Sequence, residues 1–292
     1  MLVGVTGANG LVGTTLVPLW RRAGAEVLAW TLEDFDVTDV AATRQAILDA
    51  RPDVVIHLAG YTDVDRAESE PQVAMRVNRD GTASVCAACR EAGAHLVYLS
   101  TDYVFDGSAS VPIPPAAPCS PVGVYAQGKA SGEAAVEASG AMWAIVRTGW
   151  AFGPGGRNFV DTIRRGADEG RVVRVVTDQV GAPTSTRLVA EGLWGLVGRR
   201  VAGHWHLASA GATSWFEVAR AVYRGARHDP ALVAPCSTLE SARAARRPAY
   251  SVLDCRATES ALGVALPQWE AHVAAYVGTG RVPGLGLIDG DA

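Results

Sequence analysis

Leu2-Val3-Gly4-Val5-Thr6-Gly7-Ala8-Asn9-Gly10-Leu11-Val12-Gly13 is the stretch that decides the fold. Leu2 to Val5 has the length and apolar content of a buried strand, and a helical pattern follows from Gly10 to Ala23. Between them stand Gly7, Gly10 and Gly13 in GxxGxxG order. Glycines in such a turn let the backbone approach a pyrophosphate closely, and the helix N-terminus meets its charge. Asn9, Leu11 and Val12 complete the turn. Glycine-rich strand-to-helix turns are common, so it is the position between a first strand and a first helix that makes dinucleotide binding the expectation.

The same alternation continues outward. Apolar runs at Glu26 to Trp30, Asp53 to Ala59, His95 to Ser100 and Trp143 to Thr148 alternate with helix candidates at Asp39 to Ala50, Pro71 to Ala92 and Val124 to Ser139. Pro52, Gly93 and Gly140 supply the stops. This is the signature of an α/β protein built on a Rossmann-type, doubly wound parallel sheet. Residues 1–150 are expected to form the dinucleotide-binding domain, rejoined by about 186–210. Residues 151–280 are expected to form mainly a second, smaller substrate-binding domain, with a helix over 159–168, a strand over 172–176 and helices over 188–197 and 214–224. Residues 281–292 read as a loose tail. Gly107 to Gly128 carries no charge and five prolines, and reads as a long loop of the kind that often holds function.

The chain has 292 residues and a formal charge of −4, from 26 basic and 30 acidic side chains, so nucleic acid and anionic membrane are poor partners. It contains no run of about 18 apolar residues and opens on a strand instead of a basic leader, which leads us to expect a cytoplasmic protein. Five scattered cysteines fit a reducing compartment. Cys86 and Cys89 lie in a helix of small residues, and His204 and His206 flank Trp205 with no third ligand in view. Both pairs read as packing, and no metal is expected.

Composition supplies the sharpest local signal. Lys129 is the only lysine against 25 arginines, and it follows Tyr125 by four residues. On a helix such residues share a face. A nearby ammonium favours the phenolate and so lowers a tyrosine pKa, and lysine can also donate to ribose hydroxyls as a compact charge. Thr101 closes the strand His95 to Ser100, at the sheet end where ligands bind in open α/β folds, and can orient a carbonyl there. An acid gripping the adenosine ribose is expected about 20 residues after the glycine loop, yet the second strand ends on Trp30-Thr31, and Glu33, Asp34 and Asp36 come late. That absence favours NADPH and leaves NADH open.

These residues resemble an extended short-chain dehydrogenase/reductase, and more narrowly the dTDP-4-dehydrorhamnose reductase family. The similar segments are Asp36 to Asp39, Ala59 to Glu68, Val77-Asn78, Ser100 to Gly107, Tyr125 with Lys129, Arg147 to Trp150, Asn158 to Val160, Asp178 to Thr184 and Arg247 to Asp254. The resemblance implies a catalytic trio of Thr101, Tyr125 and Lys129. It implies a pyrophosphate loop at Gly7, Gly10 and Gly13 with Asn9, Leu11 and Val12, and further cofactor contacts at Asp36, Val37, Ala59, Gly60, Tyr61 and Lys129. It places Asp102, Trp150 and Asn158 with Thr101 and Tyr125 in the substrate pocket. The implied activity is reduction of the C4 ketone of a nucleotide-linked 4-keto-6-deoxy sugar, most simply dTDP-4-dehydro-L-rhamnose to dTDP-L-rhamnose, by NADPH, in a chain that leaves room for a homodimer. Two departures stand out: Pro114-Pro115-Ala116-Ala117 where the family commonly carries acids, and Arg66 where it often has lysine. They put loop closure and any acid-mediated metal or subunit contact in question. Alternatives are a reductase for another dTDP-deoxy sugar, an epimerase or 4,6-dehydratase, and a regulatory subunit similar to that of methionine adenosyltransferase. Tyr103 stands where a dehydratase would carry glutamate, and the intact trio weighs against the regulatory subunit.

Overall fold

The structure is a computed structural model and describes residues 1–288. The first half runs β1 (Leu2–Thr6), α1 (Gly13–Arg22), β2 (Glu26–Trp30), α2 (Val40–Ala50), β3 (Val54–His57), α3 (Val64–Ser69), α4 (Pro71–Met75), a π-helical segment (Arg76–Gly81), α5 (Thr82–Ala92), β4 (His95–Thr101), α6 (Val124–Glu137) and β5 (Trp143–Thr148). The second half contains β6 (Ala151–Phe152), α7 (Phe159–Asp168), β7 (Val173–Val176), β8 (Val180–Gly181), β9 (Thr184–Ser185), α8 (Thr186–Gly198) and β10 (Gly203–His206). It continues through β11 (Thr213–Ser214), α9 (Trp215–Gly225), β12 (Val233–Cys236), α10 (Thr238–Ser241), α11 (Arg256–Leu262) and α12 (Trp269–Thr279).

Six strands form one parallel sheet in the order β10-β5-β4-β3-β1-β2. All four residues of β3 are buried, as expected of a strand covered on both faces. Helices α1 and α8 cover one face around Leu16, Trp20, Leu188 and Leu193, and the Trp20 indole donates to the Ala190 carbonyl at 2.9 Å. Cys86 and Cys89 pack with Ile47, Val85 and Val136 in the core of the opposite face. The strand order reverses between β1 and β3, so the loops leaving those strands diverge and open a crevice at their carboxyl ends.

The long helix expected over 71–92 is interrupted. Pro71 starts α4 at a position where a missing N–H costs nothing, six π-helical residues follow, and α5 then runs to Gly93, whose φ of 70° closes it. Helix α8 and strand β10 return to the main sheet, whereas β7 pairs with β12 in a separate two-stranded sheet. A second core of Val218, Val222, Tyr223, Val273 and Val277 gathers α9 and α12 beside β7. The expectation of a loose tail from 281 needs correction for the described part. Leu285 N–H donates to Glu191 on α8 at 2.6 Å, and Ile288 is buried in the α1/α8 core. Residues 289–292 lie outside the described residues. Among the described residues, no helix is long and apolar enough to cross a membrane.

Candidate active site

The crevice is lined first by the glycine turn. Gly7 has φ 67°, and a Cβ on it would meet the Ala59 backbone nitrogen at 2.7 Å, while a Cβ on Gly13 would meet the Ala8 carbonyl oxygen at 2.5 Å. Neither position tolerates a side chain. Gly10 N–H bonds the Gly7 carbonyl at 3.0 Å, and Asn9 and Gly10 are exposed. Helix α1 begins with no capping side chain and no acid in its first turn, so its positive end is left for a ligand. Leu11 packs under Gly156, and the Thr14 hydroxyl donates to the Pro154 carbonyl at 3.3 Å, which seats the 153–156 loop against the start of α1 next to Val12. The turn therefore fits a dinucleotide pyrophosphate.

Across the crevice, Ala59 N–H donates to Thr6 Oγ1 at 3.3 Å. Asn78, in the π-helical segment, holds the Ala59-Gly60-Tyr61 loop from both sides. Its Oδ1 accepts from Tyr61 N–H at 2.8 Å and its Nδ2 donates to the Tyr61 carbonyl at 3.0 Å. The Tyr61 hydroxyl donates to Glu70 at 2.8 Å. Sequence reading placed Asn78 in a similar segment without giving it a role, and the local signal for one, a break in helix geometry, has no sequence signature.

At the tip of β2 the sequence expectation is corrected. Asp34 is late in the chain, but the turn folds back so that its carboxylate accepts from Thr31 N–H at 2.7 Å and from the Thr31 hydroxyl at 2.9 Å. Those bonds hold its pKa below the usual aspartate range. An anion thus sits at the tip after all. Asp36 is exposed and accepts from Thr38 N–H at 2.8 Å, whereas the Val37 side chain is buried against Gly81, leaving only its backbone for a ligand.

Thr101, Asp102, Tyr125 and Lys129 come from the end of β4 and the start of α6. Glu68 positions that helix by accepting from Val124 N–H at 2.9 Å. The Thr101 hydroxyl donates to Asp102 Oδ1 at 3.1 Å. Burial pushes the Tyr125 phenol up to about 12, a direction that Thr101 opposes. The lowering expected from Lys129 is therefore absent. The ammonium instead donates to the Leu99 carbonyl at 2.8 Å and lies 3.9 Å from the centre of the Tyr98 ring. Lys129 is buried, which lowers its own pKa to about 7. A phenol that stays protonated is suited to give a proton away, so the correction changes the lysine's task and leaves the tyrosine's intact.

Asp102 is buried and accepts from the Ser251 hydroxyl at 2.5 Å, a contact spanning 149 positions that no local pattern reveals. Gly149 lies against the same carboxyl: a Cβ there would fall 2.6 Å from its carbon. Trp150 follows with φ 51°, unusual for a bulky residue, and stacks on Trp215 at 3.6 Å between ring centres. Asn158 has a different employment from the one expected. Its Oδ1 caps α7 through Asp161 N–H at 2.9 Å, and its Nδ2 donates to Gly153 and to Asp161, so its amide is committed to the loop beside the glycine turn.

The loop from Gly107 is pinned rather than free. Arg147 donates to Glu133 at 2.7 Å, with both side chains 2% exposed, and its Nη1 holds the Pro115 carbonyl at 2.9 Å. Ile113 and Leu253 bridge the loop to the 250–254 segment. His204 pairs with Glu137 at 2.9 Å, close to Glu133. Glu133 is already bound by arginine, so the cluster is an ion pair first. A groove of about 620 Å³ lined by Val111, Tyr250, Leu253 and Arg256 contains none of the trio and is separate from the chemistry.

Comparison with known proteins agrees with this geometry. The family model described as the RmlD substrate binding domain matches residues 1–281. A dTDP-4-dehydrorhamnose reductase of Streptomyces griseus is 45% identical over 274 residues, 91% of this chain and 90% of that protein. A dTDP-4-keto-6-deoxy-D-glucose reductase of Streptomyces niveus is 37% identical over 250 residues, 85% of this chain and 87% of that one. The crystal structure of a dTDP-4-dehydrorhamnose reductase from Bacillus anthracis, in complex with NADP, superimposes with a TM-score of 0.89 at 33% identity, covering 92% of this chain and 95% of that one. Matches of this extent, over the glycine turn, the Thr-Tyr-Lys group and the 178–184 and 247–254 segments alike, place the chain in the dTDP-4-dehydrorhamnose reductase family.

Proposed function

We propose that the protein reduces the C4 ketone of a nucleotide-linked 4-keto-6-deoxy sugar, dTDP-4-dehydro-L-rhamnose to dTDP-L-rhamnose, with NADPH as the preferred cofactor and NADH as a second. The observation that carries this reading is the meeting of Tyr125, which burial keeps neutral, with Thr101 at the sheet end that also bears the bare glycine turn. The NADP complex of the Bacillus anthracis relative supports the choice of cofactor. Residues 1–150 with 186–210 hold the cofactor, and 151–280 mainly shape the sugar site.

When bound, the reduced nicotinamide supplies the hydride to C4. Tyr125 donates its proton to the C4 oxygen as charge develops there, and the Thr101 hydroxyl orients that oxygen. Lys129, anchored on Leu99, has N–H donors left for the ribose hydroxyls. Gly7, Gly10 and Gly13 present backbone to the pyrophosphate. The pinned 107–123 loop excludes water.

The Streptomyces niveus relative favours a second reading, a reductase of the same type serving another dTDP-deoxy sugar. Purified protein given dTDP-4-keto sugars that differ at C3 and C5, with NADPH oxidation followed and products identified by NMR, separates the two. One-for-one NADPH oxidation with dTDP-4-dehydrorhamnose is expected, and Tyr125→Phe should lower kcat on the order of 10²-fold. A folded wild-type protein that oxidises neither cofactor with any of these sugars refutes the reading.

A further inference from the structure

We propose that His57 is the positioning residue of the cofactor crevice: its imidazole, fixed in one tautomer, braces the Gly7 turn and the Ala59-Gly60-Tyr61 loop at the separation a bound dinucleotide requires. This rests on the cofactor site of the reduction proposed above and concerns what holds that site in shape before the cofactor arrives.

The brace starts in the sheet. Thr6 and His57 are the last residues of β1 and β3 and stand side by side in the parallel register, where the loops leaving the two strands diverge. Thr6 leads into Gly7, and His57 leads through Leu58 into Ala59. The Thr6 hydroxyl lies 2.7 Å from His57 Nδ1 and accepts from Ala59 N–H at 3.3 Å. On the other side of the ring, His57 Nε2 lies 3.1 Å from the Thr82 hydroxyl, which donates to the Asn78 carbonyl at 2.8 Å. The Asn78 side chain in turn holds both the N–H and the carbonyl of Tyr61. Hydrogen bonds thus run from Ala59 through Thr6, His57, Thr82 and Asn78 back to Tyr61, and both ends of the loop are tied to one ring.

The donors and acceptors fit a single arrangement. A threonine hydroxyl has one proton, and that of Thr82 is spent on Asn78, so His57 Nε2 is the donor to Thr82. Burial, with Lys129 nearby, lowers the ring to about 3, so it is neutral and its Nδ1 accepts from Thr6. Thr6, His57, Asn78 and Thr82 are all buried. Filling space does not call for such a set: the rest of β3, Val54, Val55 and Ile56, is apolar, and a buried polar group is costly unless paired. A fully paired polar path fixes position as well as filling space. Position matters here because the turn and the loop touch, a Cβ on Gly7 falling 2.8 Å from Ala59 Cα. The ring also reaches toward the reacting side. It stacks on Tyr98 with 5.4 Å between ring centres, and the Lys129 ammonium rests on that same Tyr98.

Three variants test the brace with NADPH as the probe and no sugar present. His57→Leu fills the space and breaks both bonds, whereas His57→Gln offers one donor and one acceptor in the polarity of the ring. His57→Leu is expected to raise the NADPH Kd about 5-fold or more and to speed hydrogen exchange of the 58–62 backbone in the cofactor-free protein. His57→Gln should keep both within about twofold of wild type, and the sugar KM of His57→Leu at saturating NADPH should change no more than that. A histidine that only supports the core would cost stability in His57→Leu and leave the NADPH Kd where it was. That result overturns the proposal, as does a glutamine variant that binds as weakly as the leucine one, or a sugar KM that rises as far as the Kd. If His57→Leu does not fold, Thr82→Val decides, since it deletes only the hydroxyl that accepts from Nε2: a Kd raised about 3-fold supports the brace and an unchanged Kd overturns it. Wild-type protein that binds NADPH yet reduces no sugar refutes the reduction and leaves this test standing, whereas wild-type protein that binds neither nicotinamide cofactor overturns both.

Discussion

Lys129 occupies a space that only a slim, compact cation enters. Its ammonium is fixed by the Leu99 carbonyl on one side and the Tyr98 ring on another, at 6% exposure, and the nearest acid, Glu133, is already paired with Arg147. Lysine tolerates such a place because its charge can be relinquished, as its lowered pKa of about 7 records. Arginine keeps its charge in any protein environment and is longer and planar. Lys129→Arg is therefore expected to lower kcat by about 10-fold or more and weaken cofactor binding, since a positioned donor is displaced. It should also cost roughly 1–3 kcal/mol of stability, because a permanent charge replaces one that burial can neutralise. The stability loss would not arise if Tyr125 and Lys129 were an ordinary surface i,i+4 pair. Steady-state kinetics, a cofactor titration and a denaturation curve on this variant check all three, and wild-type values throughout would mean that the lone lysine is an accident of composition.

The turn after β2 shows how an element can hide its chemistry from a linear reading. Asp34 stands four positions after Trp30, and two hydrogen bonds from Thr31 bring its carboxylate back to the strand tip, the position from which an acid grips the adenosine ribose in this class of fold. Asp34→Asn keeps the shape and removes the charge, so the ratio of kcat/KM for NADPH to that for NADH should rise by about 3-fold or more, as expected when an exposed like charge is removed and salt screening is modest. An unchanged ratio at low ionic strength would place Asp34 too far from the ribose to matter. A parallel strand buried on both faces is a continuous apolar run, which is why the expected Trp143–Thr148 coincides with β5, whereas Glu26–Trp30 coincides with the edge strand β2, where only Val27 is buried. Helix α12 was not legible because Val273, Ala274, Ala275, Tyr276 and Val277 give it no single apolar stripe. The π-helical segment that carries Asn78 was hidden for the opposite reason, since its polar sequence fits an uninterrupted helix equally well.

At the scale of the whole molecule, what the sequence leaves unread is long-range. Gly7 with Gly13, and Tyr125 with Lys129, declare themselves as pairs within a few residues, whereas Ser251 reaches Asp102 across 149 positions and Arg247 reaches Asp65 across 182. The same long-range packing buries neutral histidines in both halves. His57 sits between the Thr6 and Thr82 hydroxyls beneath the glycine turn, His206 lies behind Arg147, and His272 on α12 hydrogen-bonds Ser185. Burial lowers them to about 3, about 3 and about 4. Below the unfolded histidine pKa of about 6.5, the unfolded chain binds three protons here that the folded chain refuses, so acid favours unfolding. Asp102 works the other way: raised to about 7, it keeps a proton in the fold that the unfolded chain has released above about 4. Three taken up less one given back leaves about two protons bound on unfolding near pH 5, a loss on the order of 2.7 kcal/mol per pH unit, and His95, whose pKa burial also lowers, adds to the same side. Urea denaturation at pH 7, 6 and 5 should accordingly show a midpoint that falls progressively, with most of the change below pH 6.5. His57→Gln, which retains hydrogen bonding to both threonines without a titrating ring, should flatten that fall by about one third to one half. A midpoint that stays constant from pH 7 to 5 would mean that the histidines are solvated and charged in the fold, and with that the packing beneath the glycine turn would have to be redrawn.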